Sequence, residues 1–461
     1  MLRLCEINKN SSLNSNYGNL IGKRMKKTLL SLLIGLGMSS SVLADDLYQV
    51  YQQALKSDPA TLQTKALKEA AFSSIESSRA GLLPQISLGL SASETYGDLD
   101  RSTNDLTLSL NQTIYDRSVW VGFDRAELVA QRADTNLAVA MQNLILRTVT
   151  VYFDTLQAQD DLKFAGSEKR AIERQLEQTK QRFNVGLTAI TDVHEAQAQF
   201  DTSVASEISA QNGVENSLEA LREITGSYYS SLNVLNTGKF SASMPSPANI
   251  NDWLKMAEES NLQLLAASAS VDIAKFDIDS ARSGHYPTIS LGARANSNDT
   301  EGTASDPGNT VAADRFNTYG VQLTVNVPIY NGGRVSANVD TAKYNFIAGS
   351  EDREAIHRSV IRSVRSNYND VKAAIARIKA FEQAVVSAES ALKATEAGFD
   401  VGTRTIVDVL NSTRNVFDAR RNLSGVRYGY IVSVLSLKLA AGSLTEQDIM
   451  DINQGLVAQV K

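Results

Sequence analysis

Two stretches of this chain occur twice and in the same order, so the sequence is expected to fold as two like units. Ser78-Arg79-Ala80-Gly81-Leu82-Leu83-Pro84-Gln85-Ile86-Ser87-Leu88-Gly89 returns, offset by 203, as Ala281-Arg282-Ser283-Gly284-His285-Tyr286-Pro287-Thr288-Ile289-Ser290-Leu291-Gly292. Phe183-Asn184-Val185-Gly186-Leu187-Thr188-Ala189-Ile190-Thr191-Asp192-Val193 returns, offset by 216, as Phe399-Asp400-Val401-Gly402-Thr403-Arg404-Thr405-Ile406-Val407-Asp408-Val409. The growth in offset predicts a longer loop near 297–317 than near 96–104. The repeats divide the chain into 45–240 and 241–461, each with a helix, two strands, a long helix, a tip (near 185–192 and 401–408) and a returning helix.

The strands are predicted from alternation of period two, the mark of a sheet with unlike faces. Ile86, Leu88 and Leu90 alternate with Ser87, Gly89 and Ser91, and Leu106, Leu108 and Leu110 with Thr107, Ser109 and Asn111. The second half does the same with Ile289, Leu291 and Ala293, then Val321, Leu323 and Val325. The expected strands cover 85–94, 105–114, 288–297 and 318–328. A soluble sandwich alternates in the same way, but about ten residues is the length that crosses a bilayer at a tilt. Four strands cannot close a barrel, since membrane barrels need about eight or more, so several chains would have to share one. Tyr115, Trp120, Phe123 and Tyr330 flank the strands and fit either an interfacial aromatic girdle or ordinary packing.

Between the strands the chain reads as helix. Val364, Val371, Ile378, Val385 and Leu392 recur every seven residues, with Tyr368, Ile375, Phe381 and Ala388 on the second seam, which is coiled-coil spacing. One helix from Val335 to Asp400 would be roughly 100 Å long. The first half is looser, its stripe marked by Val149, Tyr152, Leu156, Leu162, Ile172, Leu176 and Phe183. Residues 225–260 and the tail from Gly442 break both patterns and are expected to form a small mixed region around the waist.

The N-terminus is expected to be a secretory signal at 25–44: Met25-Lys26-Lys27, an apolar run from Leu29 to Met38, and Val42-Leu43-Ala44 before Asp45. Residues 1–24 read as a non-native upstream extension, and the only cysteine, Cys5, falls within it. From Asp45 onward there are 39 basic and 50 acidic residues, a formal charge of −11, which argues against nucleic acid as a partner. No later stretch is apolar enough for a membrane helix, so any membrane part must be built of strands. His194, His285 and His357 are scattered, His194-Glu195-Ala196-Gln197-Ala198 lacks a second histidine, and Asn331-Gly332-Gly333 reads as a turn. No enzyme, cofactor or metal site is expected.

From about Asp45 to Val460, and most specifically at the tips Arg182-Phe183-Asn184-Val185-Gly186-Leu187 and Val401 to Leu410, the chain resembles the TolC family of outer-membrane efflux proteins. The resemblance implies a membrane α+β fold: a homotrimer with a twelve-stranded outer-membrane β-barrel, four strands per chain, continuous with a twelve-helix periplasmic α-barrel. It implies a passive exit duct for multidrug efflux and type I secretion, set in outer-membrane lipid and reaching into the periplasm. A periplasmic adaptor and an inner-membrane RND, MFS or ABC transporter would energise it, with drugs, bile salts or secreted proteins as cargo. A passive porin or a periplasm-spanning coiled-coil protein is the alternative.

The resemblance also implies site residues. Asp192 and Arg404 match a charge-assisted clasp that holds the periplasmic gate shut, with Thr191 and Gln181 nearby. The residues alone fit a helix cap at Asp192 equally well. Phe399 stands where the clasp has a tyrosine, so that hydroxyl bond is lost. Asp408 matches the first of two aspartates of the entrance constriction and Asn411 replaces the second, leaving three carboxylates per trimer instead of six. Val185, Gly186, Leu187, Val401, Gly402 and Thr403 match tips that dock the adaptor.

Overall fold

The computed structural model describes residues 45–96, 99–304 and 314–458. The expected upstream extension, the signal segment, Cys5 and Val460 lie outside these residues, as does the centre of the loop expected at 297–317.

The chain begins with helices α1 (Leu47–Ser57) and α2 (Pro59–Ala80), strands β1 (Gln85–Thr95) and β2 (Leu99–Tyr115), and helices α3 (Arg117–Asn184) and α4 (Ile190–Thr225). After a short β3 (Val234–Leu235), the same order runs again as α5 (Ile250–Ser260), α6 (Leu262–Ser283), β4 (Thr288–Ala304), β5 (Asp314–Asn326), α7 (Arg334–Asp400) and α8 (Ile406–Ala440). Helix α9 (Glu446–Gln454) and β6 (Leu456–Val457) close the chain, β6 pairing antiparallel with β3. The region expected to be mixed thus contains two short helices, α5 and α9, and a two-stranded ribbon.

Helices α3 and α7 have 68 and 67 residues, so each is about 100 Å long at about 1.5 Å per residue. No helix of that length is held by propensity; it persists because neighbours cover it along its length. Helix α2 packs on the first part of α3 and α4 returns along the last part, while α6 and α8 do the same for α7. The expected seam of α7 is deepest in its middle, where Val364, Val371 and Ile378 are buried, and shallower toward the tip, where Val385 and Leu392 are half-buried. Phe183, expected on the apolar stripe of α3, is instead exposed, because it lies in the last turn beyond the reach of α4.

Two equivalent caps fix the starts of α2 and α6. Asp58, buried before Pro59, accepts from the Thr61 amide at 2.8 Å and hydroxyl at 2.7 Å, and its other oxygen takes Arg147 of α3. Burial works to raise its pKa, but the Thr61 and Arg147 bonds outweigh burial and hold the carboxyl below its usual range. Asn261 does the same before α6, accepting from Leu264 N at 3.0 Å and donating to the Ala440 carbonyl at 2.9 Å.

The main core gathers both ends of the described chain around the middle of α3. Leu47 and Tyr51 of α1, Leu144, Tyr152, Phe153 and Leu156 of α3, Leu221 of α4, Leu435 of α8, and Ile449 and Leu456 near the C-terminus are all buried together. The Tyr152 hydroxyl donates to the Asn233 carbonyl at 2.7 Å, so the large ring is buried without an orphaned polar atom. A second cluster forms where Trp253 of α5 packs on Val360, Val364 and Val371 of α7, and a third near the tips joins Ile172, Leu176 and Ala196 to Ile406, Val409 and Leu410.

Both long helices end in the same motif. At α3 the Gly186 amide donates to the Phe183 carbonyl at 2.9 Å and the Leu187 amide to Arg182 at 2.8 Å; at α7 Gly402 donates to Phe399 at 3.1 Å and Thr403 to Gly398 at 2.8 Å. These are Schellman turns, which satisfy the last carbonyls by a left-handed residue. Gly186 and Gly402 each have φ +78°.

Truncating Leu156→Ala is expected to destabilise the fold by about 2–5 kcal/mol, read as a lower midpoint for thermal loss of the helical circular-dichroism signal. In the same assay Gly402→Ala should destabilise by about 1–2 kcal/mol, since a Cβ at positive φ is strained. Gly213→Ala, in the interior of α4 with open space for a Cβ, should stabilise by about 0.5–1 kcal/mol.

Candidate functional site

The four long strands form one antiparallel sheet in the order β1-β2-β4-β5. Its register pairs Leu88 with Leu108, Leu108 with Ala295, and Ala295 with Tyr319, and likewise Ile86 with Leu110, Leu110 with Ala293, and Ala293 with Val321. Paired residues share a face, so the alternation of each strand adds up to one continuous apolar surface. That surface is uncovered: Leu88 is 69 % exposed, Leu90 80 %, Val321 77 % and Leu323 63 %. The opposite face is polar, with Ser87 beside Ser109, Thr107 beside Asn296, and Gly292 beside Gln322. From Tyr319 to Val325 the apolar run of β5 is about 20 Å of strand, which at a tilt of about 40° stands about 15 Å tall, and the exposed Val327 and Ile329 follow just beyond the strand's end. The lipid band of an outer-membrane barrel is about 25 Å.

Strands β2 and β4 are longer than expected, 17 residues each. Residues 99–104 and 298–304, expected as loop, continue the ladder with Asp105 opposite Asn298 and Thr103 opposite Thr300. Both faces are polar there, so period-two alternation vanishes while the backbone pairing continues. Strand β5 begins at Asp314, earlier than expected, and stops at Asn326. The outer strands β1 and β5 each have one edge unpaired among the described residues. Of the flanking aromatics, Tyr330 is 84 % and Trp120 49 % exposed, while Phe123 is half-buried. No helix among the described residues is long and apolar enough to cross a membrane.

At the other end of the long helices lie the remaining candidate residues. Asp192 is in the first turn of α4, where the helix dipole favours a carboxylate, and it accepts the Thr188 hydroxyl. Within one chain the structure does not bring it to Arg404, which is exposed and folds back over the end of α7, its amide donating to the Gly398 carbonyl at 3.2 Å. A Cβ on Gly398 would stand 2.7 Å from the Arg404 side chain, so the glycine makes this path possible. Gln181 donates to Glu177 at 2.8 Å, one turn back on its own helix, and Thr191 is exposed.

Phe399 has a partner that no sequence pattern signals. The guanidinium of Arg182 lies 4.5 Å from its ring centre and reaches Asp400 at 3.9 Å, linking the ends of α3 and α7. An exposed cation–π contact is worth about 0.5–1 kcal/mol, comparable with the net value of about 0.5–1.5 kcal/mol for one ordinary hydrogen bond.

Asp408 is engaged in folding. Its carboxylate accepts the Thr405 amide and hydroxyl, each at 3.0 Å, and its own amide donates to the Thr405 hydroxyl at 3.2 Å, forming the capping box of α8. The Thr405 amide and hydroxyl, together with the nearby Arg404 charge, hold its pKa below the usual range, so it is ionised at neutral pH. Asn411 is exposed one turn on and on the same side of α8. The tips themselves are bare apolar knobs: Val185 is 69 % exposed, Leu187 72 % and Val401 76 %.

A polar seam between α3 and α8, equally silent in the sequence, joins the two halves above the tips. Arg421 meets Asp418 at 2.7 Å, Glu168 at 3.6 Å and Asp161 at 3.7 Å, while Asp160 accepts the Tyr428 hydroxyl at 2.9 Å and that of Ser424. Burial raises the pKa of Glu168, and the Arg421 charge opposes it.

Residues 50–227 and 253–443 match the outer membrane efflux protein family. The chain is 46 % identical over 437 residues to the outer membrane protein TolC of Vibrio cholerae, covering 94 % of this chain and 99 % of that one. It is 25 % identical over 444 residues to the proteases secretion protein PrtF of Dickeya chrysanthemi, covering 93 % and 95 %. Its fold superposes on the Campylobacter jejuni CmeC outer membrane channel with a TM-score of 0.74 at 16 % identity, covering 90 % of each chain. An uncovered apolar sheet joined to helices about 100 Å long and a match over both halves lead to one conclusion: the chain belongs to the outer membrane efflux protein family.

Proposed function

We propose that three copies of the chain join edge to edge, β1 of one beside β5 of the next, to close a twelve-stranded barrel in the outer membrane, and that their helices continue it as a twelve-helix barrel into the periplasm. The observation that carries this is the four-stranded sheet with an exposed apolar face and two unpaired edges. In hydrocarbon an unpaired edge leaves backbone groups without partners, so only closure makes the sheet viable there. In this reading the two halves of the chain are structural repeats that fill alternate places around the wall. The protein is an outer-membrane exit duct for efflux and secretion.

The helix tips form the periplasmic entrance in this proposal. Asp192 and Arg404, with Thr191 and Gln181, clasp neighbouring helix pairs in the closed state, supported by the position of all four at the exposed ends of the hairpins. Arg182 on Phe399 supplies a contact where the missing hydroxyl cannot. Asp408 and Asn411 face the constriction from one side of α8, so the trimer carries three carboxylates there. The knobs at Val185, Leu187 and Val401, around the turns at Gly186, Gly402 and Thr403, receive a periplasmic adaptor. That adaptor couples the duct to an inner-membrane RND, MFS or ABC transporter, with drugs, bile salts or secreted proteins as cargo.

The test is direct. Mature protein extracted from outer membranes should run as a trimer and conduct in planar bilayers; a water-soluble monomer without conductance would overturn the reading. Asn411→Asp restores a second carboxylate per chain and should raise the cation-to-anion permeability ratio about two- to fivefold, read from the reversal potential in a salt gradient.

A further inference from the structure

Charges are sparse on the polar face of the sheet. On the strand positions of that face that the register defines, the charged residues are Arg101, Asp105, Arg294 and Asp314. Arg101 and Asp314 lie toward the outer end, in the polar extension of the ladder, and Asp105 stands at its border, opposite Ser91 and next to Leu106. Arg294 lies deeper, within the apolar band, opposite Ser109 on one side and Gly320 on the other, back to back with Ala293 and Ala295.

Its surroundings leave it free. Arg294 is exposed, and it belongs to none of the ion pairs among the described residues. Gly320 puts no side chain beside it, and a Cβ there would meet nothing within 4 Å. Ser109 is turned to the Ser87 hydroxyl at 2.7 Å. The nearest carboxylate on this face, Asp105, is four residues from Ser109 along β2, about 13 Å at about 3.3 Å per residue. It is also occupied in part by the Thr107 hydroxyl at 2.9 Å. That separation exceeds the Debye length of about 8 Å at physiological salt, so Asp105 does not neutralise Arg294. Asp314 is farther still, six residues from Gly320.

We propose that three copies of Arg294 form a cationic ring inside the barrel that binds multivalent carboxylate anions from the outer side. The ring rests on the trimeric barrel proposed above. Twelve strands spaced about 4.8 Å apart at a tilt of about 40° make a wall of about 12 Å radius. A guanidinium reaching about 6 Å inward then stands within about one Debye length of the axis, so passing anions feel all three. The planar fork of each arginine matches a carboxylate in two parallel hydrogen bonds, which sets carboxylates above halide ions. Rings of basic side chains are a general means of favouring anions in a pore. The exit therefore carries the opposite sign to the carboxylates at the entrance, about 100 Å away along α7.

The probe is citrate, added to the barrel side of the purified full-length mature protein in a planar bilayer, so that it need not pass the helix tips. Citrate should block the potassium current at concentrations at least about fivefold lower in the wild type than in Arg294→Gln, with Arg294→Lys between them. Gly320→Asp, which leaves Arg294 in place and sets a carboxylate beside it, should relieve the block as fully. Without citrate, the unitary conductance of these variants should stay within about twofold of wild type. Equal block in wild type and Arg294→Gln, or no block of conducting wild-type channels, overturns the ring. No conductance in wild type overturns the trimeric channel, and the ring with it.

Discussion

A β-sheet in hydrocarbon cannot end. Each backbone group on an open edge that faces lipid costs several kcal/mol, and no water is present to replace the missing partner. The sheet of this chain has four strands, an uncovered apolar face and two open edges, and the rest of the molecule is arranged around that deficit. Strands β1 and β2 enter and leave through α2 and α3, and β4 and β5 through α6 and α7. Each hairpin of the sheet therefore runs directly into one long rod, α3 or α7. An assembly that closes the sheet closes the helical wall in the same act.

The helical wall is held by different means along its length. Near the sheet α2 and α6 cover α3 and α7, with caps at Asp58 and Asn261 fixing their starts. At the middle, large aromatics and leucines of α1, α3 and the C-terminal elements make a conventional core. Toward the tips the packing thins to a small apolar cluster, and polar contacts such as Arg421 with its three carboxylates and Arg182 with Phe399 carry more of the connection. Polar contacts at partly exposed positions contribute about 0–1 kcal/mol each, so the tip is the part of the rod that separates at least cost. In the proposed duct this gradient places the least costly separation at the periplasmic entrance and the firmest packing nearer the membrane.

Much of this architecture is legible in the order of the residues. The leucines at 86–90 and 106–110 alternate because one face is greasy and the other wet, and the heptads of α7 repeat because its middle is buried against neighbours. Other features leave no one-dimensional signal. The continuation of β2 and β4 through 99–104 and 298–304 is polar on both faces, so it looks like loop although the ladder persists. Arg182 meets Phe399 only because two helices of different halves end side by side, and no spacing within either half reports that. Thr405-x-x-Asp408 is different: its capping-box pattern is visible in the sequence, whereas the family resemblance points to Asp408 as a pore residue and is silent on its part in the fold. Asp192 and Arg404, proposed for the clasp, both lie near the helix tips, but the partner of Asp192 inside its own chain is Thr188.

The capping box of α8 has a consequence for how the charge at the entrance can vary. The side chain of Asp408 that would present a negative charge to cargo also secures the amide and hydroxyl of Thr405, so a substitution there would loosen the start of a 35-residue helix while it altered conduction. Asn411, exposed on the following turn, caps no helix. Of two neighbouring positions on one face, the first is tethered to the scaffold and the second is at liberty to drift. In the proposed entrance, the charge at 411 can thus vary without disturbing the cap that starts α8.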